Sequence, residues 1–217
     1  MDAPIILISG GTGVGTSTFS IELAKALNIH TVISTDSIRE IIRSTLNQDV
    51  NPALKQSTYL AGQTKNYRTK KIDVRKAEIL RGYKMQYETV NIGSRGMIQR
   101  AIEENTPLIL EGIHIMPGKV NDPKIYGNDT QRFVEYHFFI SDKQIHKKHF
   151  EQRQKNSPER KISKYLENFE EIRWIHDYLG ERANKYENIL KIENKKDIEL
   201  TLDEMINFFN LRMTKIK

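Results

Sequence analysis

The stretch Ile5-Ile6-Leu7-Ile8-Ser9-Gly10-Gly11-Thr12-Gly13-Val14-Gly15-Thr16-Ser17-Thr18 decides the fold. Its first five residues form an apolar, largely β-branched run, the pattern of a strand buried on both faces. Glycines follow, and from Thr18 onward Phe19, Leu23, Ala26 and Leu27 recur at helical spacing. Strand, glycine-rich loop and helix in that order are the setting of a P-loop. The glycines let backbone amides curl around phosphate oxygens with no Cβ in the way, and the new helix aims its N-terminal amides at the same place. Gly10, Gly11, Thr12, Gly13, Val14, Gly15, Thr16, Ser17 and Thr18 are therefore the candidate nucleotide-binding residues, with Ser17 at the hydroxyl position that coordinates Mg²⁺. The pattern G-x-x-x-x-G-K-[ST] asks for lysine where Thr16 stands. Three readings stay open: a working transferase that draws its cation from elsewhere, a nucleotide binder without turnover, and a loop bent for folding reasons alone.

Working outward, the elements alternate. Thr31–Ser34, Leu108–Glu111, Phe133–Ile140 and Ile189–Ile192 read as further short strands. Helical periodicity fills the intervals, over Ser37–Leu46, roughly Val74–Glu104, Asp142–Gln152, Tyr165–Tyr186 and Ile198–Leu211. The expectation is an α/β fold with a parallel five-stranded sheet covered by helices on both faces, and ligands beyond the carboxyl ends of the strands. With 217 residues, no repeat and no linker-like tract, residues 1–217 read as one domain.

Composition narrows the function classes. Hydrophobic residues at 38% and charged residues at 29% place the chain among globular proteins. The absence of cysteine excludes a thiolate metal site, a disulfide scaffold and a cysteine nucleophile. A net charge of +6 suits an anionic partner without choosing one. No apolar run reaches membrane-spanning length, and Met1-Asp2-Ala3-Pro4 has no basic segment of a signal peptide, so a cytoplasmic location is expected.

Three further segments carry chemistry. Thr35-Asp36-Ser37-Ile38-Arg39-Glu40 follows the second strand. Asp36 is a candidate to accept a proton from a substrate hydroxyl, and Arg39 to clamp a phosphate or carboxylate; helix capping is the plain alternative. Leu108-Ile-Leu-Glu-Gly-Ile-His114 places Glu111 at a strand end, beside where a metal would lie, with His114 expected to point into the cleft. Basic clusters from His146 to Arg153 and at Arg160-Lys161 flank a polar stretch containing Pro158. They read as a lid over about residues 150–164, with Arg153 and Arg160 reaching the transferred group. Nucleic acid is disfavoured as a partner, because Phe150 is the lone aromatic of that cluster and no RNA-binding signature occurs. The stripe along Tyr165–Tyr186 reads as core packing, with Arg173 and Trp174 expected at the surface.

Taken together, the chain resembles the P-loop domain of the archaeal 2-phosphoglycerate kinases, without the N-terminal regulatory domain that some members carry. The resemblance rests on Ser9–Thr18, Ser34-Thr-Asp-Ser-Ile-Arg-Glu-Ile-Ile-Arg43, Ser57-Thr-Tyr-Leu-Ala61, Ile109-Leu-Glu-Gly-Ile-His-Ile-Met-Pro-Gly118 and the Tyr165–Leu179 segment. It implies a nucleoside-monophosphate-kinase-like fold and ATP- and Mg²⁺-dependent phosphorylation of a small phosphorylated metabolite, 2-phosphoglycerate, to 2,3-bisphosphoglycerate. It also implies substrate or metal roles for Asp36, Arg39, Glu111 and His114. Family members usually have lysine at position 16. Archaeal-type cytidylate kinases resemble the chain more closely there, which keeps a nucleoside monophosphate as the alternative acceptor.

Overall fold

The structure is a computed structural model, and it describes residues 2–45, 52–156, 162–195 and 197–214. Strand β1 (Ile5–Gly10) is buried at every position, because it pairs on both sides: Ile5 lies in register with Leu108 of β3 (Leu108–Gly112) and with Phe133 of β4 (Phe133–Phe139). Strand β2 (Val32–Ser34) flanks β3, and β5 (Ile189–Glu193) flanks β4. The sheet is parallel throughout, in the order β2-β3-β1-β4-β5.

Alternation along β1 explains its unbroken apolar run. Ile6 and Ile8 enter one core with Phe19 and Leu23 of helix α1 (Thr16–Leu27) and Met205, which lies far along the chain. Ile5 and Leu7 enter a second core on the opposite face with Ile38, Val90 and Ile98. Those residues belong to α2 (Thr35–Thr45) and α3 (Ile72–Glu103). After β3 the chain passes through the short α4 (Pro123–Tyr126) into β4. Helix α5 (Lys143–Asn156) follows, its start capped by Asp142 Oδ1, which accepts from the amides of Gln144 at 2.6 Å and Ile145 at 3.0 Å.

The helix expected over Tyr165–Tyr186 is two helices, α6 (Ile162–Glu167) and α7 (Phe169–Ala183). The break falls at the buried Asn168, whose side-chain Nδ2 donates to the Lys164 carbonyl at 2.8 Å. A short polar side chain competing for backbone groups gives the chain its way out of the helix. Helix α8 (Ile198–Thr214) closes the α1 face, with Met205 fully buried.

Two surface expectations are corrected. Trp174 and Arg173 are buried, at 8% exposure each. Arg173 Nη1 donates to the Ile140 carbonyl at 2.6 Å and Nη2 to Asp177 at 2.9 Å, while Trp174 stacks against Arg75 at 5.3 Å. Asp177 is the local partner, four residues on along α7, but Ile140 follows β4 and Arg75 belongs to α3, so no local pattern announces those two contacts. Among the described residues no helix is long and apolar enough to cross a membrane.

Candidate functional site

The glycine loop leaves β1 at the carboxyl end of the sheet and turns directly into α1. Gly13 and Gly15 adopt φ of +87° and +101°, a region glycine enters without a Cβ penalty. The turn exposes a row of donors: the amides of Gly13, Gly15, Thr16 and Ser17 reach no protein acceptor among the described residues. Orphan amides at a helix start, with the positive end of the helix behind them, form an anion cradle. A basin of about 250 Å³ opens over them, lined by Gly13, Gly15, Thr16, Ser17 and Thr18, with His149 and Gln152 from α5 opposite. Gly10, Gly11 and Val14 shape the loop from beneath; Val14 is fully buried and Gly11 abuts His176.

Thr16 and Ser17 share one carboxylate. Thr16 Oγ1 donates to Glu111 Oε2 at 2.7 Å, and Ser17 Oγ donates to Glu111 Oε1 at 3.0 Å. Glu111 is 4% exposed, and the next residue, Gly112, takes φ +128° beside the Thr35 hydroxyl. The residue that departs from the lysine pattern is thus tied to the acid at the end of β3. Hydroxyl and carboxylate oxygens together make a donor set for a hard cation.

Beyond Gly112 the chain buries His114 completely, contrary to the expectation that it faces the cleft. Its Nε2–H donates to Gln86 Oε1 at 3.2 Å, with Tyr83 stacked at 6.4 Å between centroids. Burial, reinforced by the nearby Arg39 charge, pushes its pKa down to about 3, so the ring is neutral. The remaining nitrogen, Nδ1, lies 3.8 Å from Asp36 Oδ1, and Asp36 itself is largely exposed at the start of α2. Arg39, one turn along α2, is half-buried. Its Nη2 is committed to the carbonyls of Leu54 at 3.1 Å and Gln56 at 2.5 Å, while Nε has no partner among the described residues. Burial lowers its pKa from the usual arginine value. The structure therefore brings Thr16, Ser17 and Glu111 together, and separately Asp36, His114 and Arg39. Arg160 and the side chain of Arg153 lie outside the described residues.

Sequence reasoning missed the residues that hold the loop in shape. His146, fully buried, donates from Nε2 to the Thr12 carbonyl at 2.8 Å. Phe150 lies under Gly13, where an added Cβ would come within 2.5 Å of its ring. Asn194, just after β5, donates from Nδ2 to the Val14 carbonyl at 2.9 Å. His146 and Phe150 carried a weak signal, being four apart on a helix and hence on one face; Asn194 carried none. Phe150 is buried and α5 runs through Asn156, so the first residues of the segment read as a lid are helical; residues 157–161 of that segment lie outside the described residues.

No protein-family model matches the chain. A gluconokinase from Sinorhizobium meliloti shares the fold, with a TM-score of 0.54 at 10% identity, over 98% of this chain and 95% of that one. Among curated proteins, the 2-phosphoglycerate kinase of Methanococcus maripaludis (strain C7) is 38% identical over 190 residues, which is 88% of this chain and 59% of that protein. The 2-phosphoglycerate kinase of Methanothermobacter thermautotrophicus is 34% identical over 215 residues, 98% of this chain and 67% of that protein. The chain thus spans about three fifths to two thirds of the length of these relatives. At 34% identity over 98% of this chain and 67% of the relative, the chain belongs to the 2-phosphoglycerate kinase family.

Proposed function

We propose that the chain transfers the γ-phosphoryl group of ATP to the free hydroxyl of 2-phosphoglycerate, giving 2,3-bisphosphoglycerate and ADP. The observation that carries the transfer chemistry is the joint hold of Thr16 and Ser17 on Glu111 beside four loop amides that are unpaired among the described residues. The names of the relatives supply the acceptor.

The amides of Gly13, Gly15, Thr16 and Ser17 hold the β- and γ-phosphates. Ser17 and Glu111 would hold Mg²⁺; bound there, the ion offsets negative charge on the phosphate oxygens. Among the described residues no three His, Cys, Asp or Glu side chains form a metal cage, which suits an ion that keeps most of its ligands from phosphate and water. The acceptor lies between the loop and the start of α2. Arg39, braced by two carbonyls through Nη2, offers the rest of its guanidinium to the acceptor's anionic groups. Asp36 orients the attacking hydroxyl and takes its proton as the O–P bond forms. The neutral His114, with its Nδ1 lone pair turned to Asp36, receives a hydrogen bond from the protonated carboxyl. Arg153 and Arg160, on the basic arm that follows Phe150, take over the charge duty that lysine has in the usual loop pattern.

Incubating the purified protein with labelled ATP, Mg²⁺ and 2-phosphoglycerate tests this. The expected result is label in a bisphosphorylated acid, lost in Ser17→Ala. Transfer to nucleoside monophosphates in its place, or no transfer above the Ser17→Ala background, refutes the acceptor assignment.

A further inference from the structure

A second polar cavity, of about 440 Å³, lies in the groove between α3 and α7 and shares no residue with the basin over the glycine loop. Four cations line it: Lys84 and Arg95 from α3, Arg182 from α7, and Lys119 from the segment after β3. Two acids, Glu88 and Asp122, also line it, leaving a formal surplus of +2. Arg182 is fixed by the Pro117 carbonyl, at 3.3 Å from Nε and 3.0 Å from Nη2, and Lys84 sits over the Tyr178 ring at 5.1 Å. Salt bridges do not consume these charges: none of the four cations is ion-paired among the described residues.

Asn91 makes the groove more than a basic surface. It lines the same cavity at 6% exposure, and its Oδ1 has no hydrogen-bond partner among the described residues. A buried acceptor left unpaired is costly and uncommon, and calls for a donor. Part of the groove wall is aromatic. Tyr178, which lines the groove, meets Tyr83 edge-on at 6.0 Å, and Tyr83 in turn stacks on His114.

We propose that this groove is a second ligand site, for a small hydroxylated phosphomonoester, separate from the site of phosphoryl transfer. A phosphomonoester carries a charge near −2 at neutral pH, which matches the surplus, and arginine forks suit its oxygens. A ligand hydroxyl supplies the donor that Asn91 lacks. The site stands whichever acceptor the glycine loop serves.

Titrating the isotope-labelled protein with glycerol 3-phosphate, and separately with inorganic phosphate, tests the site by residue-resolved NMR. The expected result is saturable shifts at the Asn91 side-chain amide, Gly118 and Arg182, with glycerol 3-phosphate binding more tightly than phosphate. Arg95 and Lys119 are exposed, so the Arg95→Ala/Lys119→Ala double variant keeps the fold, and it should weaken that titration about tenfold or more. Asn91→Leu should remove the preference for the hydroxylated ligand. Shifts confined to residues 13–18, equal affinity for the two ligands, or a double variant that titrates like the parent overturns the proposal.

Discussion

Replacing Thr16 by valine isolates the feature that distinguishes this loop. The side chains are near-isosteric, so the change removes the hydroxyl and little else. The lost bond is 2.7 Å long and ends on a carboxylate that is 4% exposed. Hydrogen bonds to a charged partner contribute about 1.5–3 kcal/mol. Glu111 keeps its 3.0 Å bond from Ser17, so the loss is partial. We expect the nucleotide-free protein to lose about 2 kcal/mol, or about 4–8 °C in Tm for a chain of this size. Catalysis should fall as well, by about tenfold for each 1.4 kcal/mol of orientation lost from Glu111 in the transition state. Thr16→Ser keeps the donor and should stay within about fivefold of the parent in kcat, since less than about 1 kcal/mol is at stake. Thr16→Lys restores the common pattern yet should slow the enzyme. Its ammonium would reach the same carboxylate and pair with it, about 4 kcal/mol of attraction at 4 Å and an effective dielectric of 20. Thermal melts and ATP-dependent transfer measured on all three variants decide the matter. A valine variant as stable and as active as the parent, or a lysine variant that is faster, contradicts the assigned role of Thr16.

Gly13→Ala should abolish nucleotide binding while the sheet stays intact, because it adds a Cβ 2.5 Å from the Phe150 ring at a φ of +87°; retained ATP affinity by calorimetry would show the loop to be more pliant. His146→Ala removes the donor to Thr12 and should raise KM for ATP more than it lowers kcat, and a kcat effect alone would place His146 elsewhere in the reaction. Burial raises the Glu135 carboxyl to about 7, so the folded state holds its proton more tightly than the unfolded chain does. The parent should therefore lose stability as pH rises from about 4.5 to 7 and level off above. Glu135→Gln should lack this component and gain on the parent by about 3 kcal/mol across that window. Urea midpoints at pH 5 and pH 8 measure the gap, and parallel pH profiles would show that Glu135 titrates normally.

What the sequence made legible follows from how local each cause is. The parallel sheet was readable because a strand buried on both faces must be apolar at every position, as Ile5–Ile8 are. The glycine loop was readable because left-handed turns at Gly13 and Gly15 demand that residue type. Glu111 stood out as an acid ending an apolar strand. The supports of the site were not readable, because their causes lie far along the chain: Asn194 reaches Val14 across 180 positions, and His146 reaches Thr12 across 134. His114 shows the same limit in reverse. Its segment pointed to the cleft, but Gln86 and Tyr83 of α3 close over it, and only the packed molecule leaves its Nδ1 3.8 Å from Asp36. Arg173 and Trp174 read as surface residues because their partners, Ile140 and Arg75, belong to other elements.

The contact of Phe150 and His146 with the glycine loop bears on how this protein can be rebuilt. An engineer who replaces the basic segment after Phe150 with that of a relative cannot splice at the nearest convenient helix boundary. Positions 146 and 150 belong mechanically to residues 12 and 13, so a functional chimera must exchange all four together or place its junction after Phe150.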